Sequence, residues 1–184
     1  MEIITVDKST YQKYKAQLLK LYIDSFSTGF SAQKIDSDVT GRYLDALFEE
    51  GYGIFITEKD ELIGALLTAP LVIDDLLPDK IRQNFSVENC VYIAEMMVIE
   101  NARGKGLGNQ LLQEFIQTVD QHRFTHVFIR VWVENVPALK LYRKMGYEEY
   151  ATIDQVKTYS DNPDTTGKPG TFVMHKVYLY RKTV

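Results

Sequence analysis

The chain has one cysteine, Cys90, so no disulfide can close within it and the stapled scaffolds of small secreted proteins are excluded. A lone cysteine of this kind most often serves as a small buried hydrophobe. Histidine is scarce too, and His122, His126 and His175 show no paired metal-ligand spacing, so no metal is expected. No apolar run approaches membrane-spanning length, and residues 1–9 lack the basic start and long apolar stretch of a leader; a cytoplasmic protein is expected. A dominant charge sign is also missing. The 21 Lys plus Arg face 25 Asp plus Glu without a run of either, which gives no drive toward a nucleic-acid or membrane partner.

What is present suits one globular domain over residues 1–184, with 45% of residues hydrophobic and enough length to bury a substantial core. Tyr14, Leu18, Leu21 and Tyr22 recur at three- and four-residue steps and predict an amphipathic helix over 11–26, followed by a shorter one over 39–48. Gly51 ends that pattern. Residues 52–57 and 62–68 read as a hairpin around the charged turn Glu58-Lys59-Asp60-Glu61. Residues 70–89 are too long for a simple turn and carry Asp74, Asp75, Asp79 and Glu88. They are a candidate specificity segment, although solvated loop carboxylates are the commoner case.

Beyond that segment the pattern sharpens. Residues 91–98 are almost continuously apolar, as a strand covered on both faces would be. Leu107, Leu111, Leu112, Phe115, Ile116 and Val119 then mark one face of a helix, and Val127, Ile129, Val131 and Val133 alternate through another strand. Strand, helix, strand predicts a right-handed parallel crossover and an α/β core. Asn135 reads as an N-cap, Pro137 fits the first turn, Ala138, Leu141, Tyr142 and Met145 form a face, and Gly146 suits the stop. Closing strands are expected over 147–153 and 172–180, around a mobile surface loop over 161–170.

The turn Arg103-Gly104-Lys105-Gly106-Leu107-Gly108 joins the apolar strand to a helix, and that placement creates an anion site. The first N–H groups of a helix lack internal partners, and the dipole end is positive. Glycines let the backbone approach an anion closely, while Arg103 and Lys105 can add charge-assisted hydrogen bonds. The spacing is wrong for a Walker loop, and Asn109 stands where a dinucleotide fingerprint needs its third glycine.

The pattern Arg-x-x-Gly-x-Gly, formed by Arg103, Gly106 and Gly108, resembles the cofactor motif of the GCN5-related N-acetyltransferase (GNAT) family. Downstream, Asn135-Val136-Pro137-Ala138-Leu139-Lys140-Leu141-Tyr142-Arg143-Lys144-Met145-Gly146-Tyr147 resembles that family's second signature, in the expected order. The specific resemblance covers residues 91–147. It implies a single α/β domain with a mixed sheet of about six to seven strands, a splayed parallel pair, and helices on both faces.

It also implies transfer of an acetyl group from acetyl-CoA to a primary amine of a small molecule or peptide, directly within a ternary complex. The pyrophosphate would rest on Arg103, Gly104, Lys105, Gly106, Leu107 and Gly108. The backbone of Met97 and Val98 would meet the pantetheine amides, Asn135 would lie across the splay, and Tyr142 would face the departing sulfur. Glu95 is the candidate base, as the charged residue within the apolar strand. The other reading of Glu95 is a carboxylate paired with Arg130 or another cation. The acceptor stays open and a homodimer remains compatible. Two further readings stand beside the enzyme: an acyl-CoA-binding sensor without turnover, and a dinucleotide oxidoreductase.

Overall fold

The computed structural model describes residues 1–28, 32–159 and 170–183. Strand β1, Glu2–Val6, leads into helix α1, Lys8–Phe26, through a reciprocal cap. The Asp7 carboxylate accepts from Ser9 N and Thr10 N, both at 3.0 Å, while Thr10 Oγ1 accepts from Asp7 N at 3.0 Å. That arrangement satisfies orphan donors of the first turn. Helix α2, Ser37–Glu50, is capped one way by Asp36, whose side chain accepts from Val39 N at 2.9 Å, and strands β2, Tyr52–Glu58, and β3, Glu61–Pro70, form the expected hairpin.

Helix α3, Asp79–Asn84, lies between two short 3₁₀ turns, so residues 70–89 are a structured cap rather than an open loop. Strand β4, Cys90–Val98, helix α4, Leu107–Thr118, and strand β5, His126–Trp132, follow. Helix α5, Val136–Lys144, starts at Asn135, whose side chain accepts from Ala138 N at 3.3 Å. Strands β6, Glu148–Thr158, and β7, Thr171–Lys182, close the chain. The expected loop over 161–170 lies outside the described residues apart from Gly170.

The strands form one seven-stranded mixed sheet in the order β1-β2-β3-β4-β5-β7-β6. β4 and β5 pair in parallel and every other neighbouring pair is antiparallel. Helices cover both faces, as expected. On one face α4 and α5 bury Leu107, Leu111, Leu112, Phe115 and Tyr142 against Val91, Ile93, Ile129, Val177 and Leu179. On the other, α1 and α2 bury Leu18, Leu44, Leu47 and Phe48 against Phe55, Ala65 and Leu67. The Tyr11 and Phe48 rings stack at 4.1 Å, and Phe55 meets Phe48 edge-on at 6.3 Å.

The cap over 70–89 packs Leu71, Leu77 and Ile81 on Tyr92, Phe128 and Tyr178, on the same face as α1 and α2 but toward the other end of the sheet. β1 is an addition to the sequence reading. Its Ile4 and Val6 turn inward while Ile3 and Thr5 remain outside, the alternation of an edge strand.

Candidate active site

The parallel pairing of β4 with β5 runs from Cys90↔His126 to Ile93↔Ile129 and stops there. β5 continues beside β7 as far as Trp132↔Lys176, while β4 continues beside β3 as far as Val98↔Gly64. The two strands therefore part after Ile93, and the edge of β4 that faced β5 loses its ladder.

The parting coincides with a bulge. β3 pairs Thr68 with Ile93 but Leu67 with Glu95, so Ala94 is the extra residue on β4. Its effect can be followed in the side chains. Val91 and Ile93 point into the α4/α5 core; an unbroken alternation would send Glu95 there too. Instead Met96 and Val98 pack on that core, and Glu95 turns to the opposite face, where Tyr43 Oη of α2 donates to its Oε1 at 2.9 Å.

A cleft of about 140 Å³ opens at this point. Ala94, Glu95 and Met96 line it from β4, Arg130 and Trp132 from β5, Lys176 from β7, and Asn135 and Tyr142 from α5. Glu95, Asn135 and Tyr142 are thus brought together across the parted strands. Met97 and Val98 lie just beyond the lining. The Met97 side chain is buried under α1 and α2, and the Val98 carbonyl accepts from Arg103 Nε at 3.0 Å.

Electrostatics follow from burial. The Glu95 carboxyl is raised above its usual range by burial, partly offset by the Tyr43 hydrogen bond and by Lys176. Burial likewise pushes the Tyr142 phenol well above its ordinary value, with Tyr147 and Glu95 adding to the effect. Cys90 stands apart from this chemistry: it is buried at the paired end of β4, its thiol donates to Ser86 O at 3.4 Å, and burial lifts it to about 11.

The glycine turn begins five residues past β4, at Arg103. Gly104 and Gly106 have φ of 74° and 83°, the left-handed region that favours glycine, and a Cβ at either would meet only open space. Gly106 opens α4 without a side-chain cap. Among the described residues, none of the N–H groups from Gly104 to Asn109 donates to a backbone acceptor. The tether to Val98 uses only Arg103 Nε and leaves the outer guanidinium nitrogens exposed. Gly108 differs: a Cβ there would sit 3.2 Å from Leu141 Cδ2, so this glycine serves the close packing of α4 on α5.

The acidic segment does not gather into a site. Asp74 is buried and accepts from Arg130 Nη1 and from Tyr178 Oη, each at 2.8 Å, while Asp75, Asp79 and Glu88 are exposed. Arg130 is thereby the partner of Asp74 and not of Glu95. Lys176 of the cleft escaped the sequence reading, as did Tyr43, Gln155 and Lys157, which line the space beside it. Lys157 and Lys176 stand as cations in strand pattern, the same signal that singled out Glu95.

The family model described as "Acetyltransferase (GNAT) family" matches residues 15–147 of the chain. An N-alpha-acetyltransferase of Sulfurisphaera tokodaii is 30% identical over 74 residues, which are 40% of this chain and 43% of that protein's length. The ribosomal-protein-alanine N-acetyltransferase of Brucella melitensis superposes with a TM-score of 0.69 over 99% of each chain at 17% identity. The Salmonella typhimurium protein yncA, solved with its cofactor acetyl-CoA, superposes with a TM-score of 0.67 over 100% of this chain and 94% of that one, at 15% identity. At these identities the structural likeness concerns the fold.

Proposed function

Because the chain belongs to the acetyltransferase (GNAT) family, we propose that it is an N-acetyltransferase that moves an acetyl group from acetyl-CoA directly to a primary amine. The observation that carries this reading is the cleft at the parted β4 and β5, which gathers Glu95, Asn135 and Tyr142.

The residues present fit the donor. Unpaired N–H groups from Gly104 to Asn109, open space above Gly104 and Gly106, and the exposed ends of Arg103 and Lys105 suit a diphosphate at the start of α4. From Val98 back to Ala94 the free edge of β4 offers roughly 13 Å of unladdered backbone, at about 3.3 Å per residue, for an extended arm bearing amides. Asn135 lines the opposite wall. When bound, the donor supplies an acetyl thioester, and the remaining chemistry falls to this chain.

An alkylamine near pKa 10.4 is protonated at neutral pH, and freeing its lone pair costs about 4 to 5 kcal/mol. Glu95, held by Tyr43 and raised toward the working pH, accepts that proton. Backbone N–H groups on the β4 edge stabilise negative charge developing on the carbonyl oxygen. Tyr142 donates a hydrogen bond to the departing sulfur. Its raised pKa makes complete proton transfer to a thiolate costlier than the roughly 2 kcal/mol of the unperturbed pair, so hydrogen bonding is the better role. Among the described residues no cysteine or serine lines the cleft, which favours direct transfer over a covalent enzyme intermediate.

The test is calorimetric titration with CoA, followed by assay of CoA release from acetyl-CoA across a panel of amines. Absence of CoA binding removes the reading, and tight CoA binding without turnover of any amine replaces it with that of a sensor.

A further inference from the structure

The cleft does not end at Glu95. A second cavity of about 240 Å³ shares Phe26, Gln33, Glu95, Arg130 and Lys176 with it and extends between α1, α2, β6 and β7. If the donor approaches along β4, this cavity is the space left for the acceptor. It is smaller than the pockets of about 300 to 1,000 Å³ that hold drug-sized ligands.

Its charges are unbalanced. Lys157 on β6 and Lys176 on β7 line it, and neither forms an ion pair with another described residue. Arg130, the third cation, is already neutralised by the buried Asp74 at 2.8 Å. Glu95 is the carboxylate in the lining, and its Oε1 is engaged by Tyr43. The nearby Asp154 points to the other side of β6 and meets His175 at 2.6 Å. Burial, with Arg130 and Lys157 nearby, pulls Lys176 down to about 8, and the charges of Glu95 and Asp74 offset this only in part. The same cavity holds an unsatisfied acceptor: Gln155 Oε1 is buried with no hydrogen-bond donor among the described residues.

We infer that the acceptor is a small amine carrying an acid group, a carboxylate or a phosphate, whose anion is held by Lys157 and Lys176 while Gln155 and Glu95 receive its amine. This deepens the acetyltransferase reading above and rests on it. A polycation would place its additional charge against two lysines, and like-charge contact in a partly buried site is unfavourable.

The experiment uses matched pairs of acceptors on the full chain: tyramine with tyrosine, ethanolamine with phosphoethanolamine, and butylamine with γ-aminobutyrate. An N-terminal alanine peptide and spermidine are added as competing classes. CoA binding is measured first by titration, so failure there strikes the acetyltransferase reading and not the choice of acceptor. With CoA binding established, the acidic member of a pair is expected to exceed its partner in kcat/KM by about tenfold or more, the effect of one hydrogen bond to a charged group. The carboxylate and phosphate pairs separate the two sources of the anion. Lys157→Met and Lys176→Met are each expected to cut the preference by about tenfold while CoA affinity holds, and Lys157→Arg to retain it. A preference for spermidine, the peptide or the neutral partners overturns the inference. So does a CoA-binding protein that neither acetylates nor binds any acidic amine, or a preference that survives both methionine variants. If a methionine variant fails to fold, the matched pairs on the wild-type chain still decide.

Discussion

Glu95 and Tyr142 both owe their chemistry to burial, but burial acts on them in opposite directions of usefulness. A carboxyl raised above its usual range approaches the pH at which a base must work, whereas a phenol raised further becomes a poorer acid. Tyr142→Phe is therefore expected to lower kcat by roughly tenfold to a hundredfold, the loss of one hydrogen bond that strengthens as charge reaches sulfur. CoA affinity in a direct titration should barely move, and unchanged turnover would remove the role. For Glu95 the sign is set by deprotonation: kcat/KM should rise with pH through a limb lying above the ordinary carboxylate range. In Glu95→Gln that limb disappears and activity near neutrality falls by about a hundredfold or more. The deficit narrows toward high pH as free amine becomes abundant, and a pH profile superimposable on wild type would dismiss Glu95 as the base.

Among the elements, the ones legible in sequence were those whose signals are local. Helix α4 is marked by its apolar face, α5 by its cap, face and stop within a dozen residues, and the glycine turn by spacing alone. What stayed hidden depends on register between distant strands. β1 is a short edge that acquires meaning beside β2, and the bulge at Ala94 is visible only as the shift against Thr68 and Leu67. Lys157 and Lys176 reach the same cavity because β6 and β7 pair with Val156 opposite Val173 and Ile153 opposite Lys176. The cap over 70–89 reads in sequence as too long for a turn, but its apolar anchors Leu71 and Ile81 are spaced too irregularly to show a period. The glycine turn yields a prediction of its own. At Gly106, φ of 83° strains any side chain and a Cβ would project into the space above the turn. Gly106→Ala should raise KM for acetyl-CoA by about tenfold with little change in kcat, the mark of lost ground-state binding, at a cost of about 1 kcal/mol in stability. Steady-state kinetics with acetyl-CoA varied would check it.

Across the whole molecule, Asp74 ties the cap to the sheet beneath the acceptor cavity. Its side chain is 3% exposed and that of Arg130 15%, so removing the carboxylate's charge leaves a guanidinium largely cut off from water. Asp74→Asn is expected to lower stability by about 3 to 5 kcal/mol, readable as a drop in the urea midpoint; an unchanged midpoint would mean that the pair contributes nothing net. The same substitution leaves Arg130 as a third uncompensated cation beside Lys157 and Lys176, so cap and cavity are coupled through one ion pair. The extra residue at Ala94 has a reach beyond geometry. Strand side chains obey parity, and a single insertion inverts the parity of everything that follows, so the outer half of β4 is written one count out of phase with its inner half. Pairing the same residues of β4 without the bulge would instead turn Glu95 into the aliphatic layer beneath α4 and convert a proton acceptor into a buried liability without changing any residue. In this fold one bulge, which lets two successive residues share a face, decides whether the cleft contains a base.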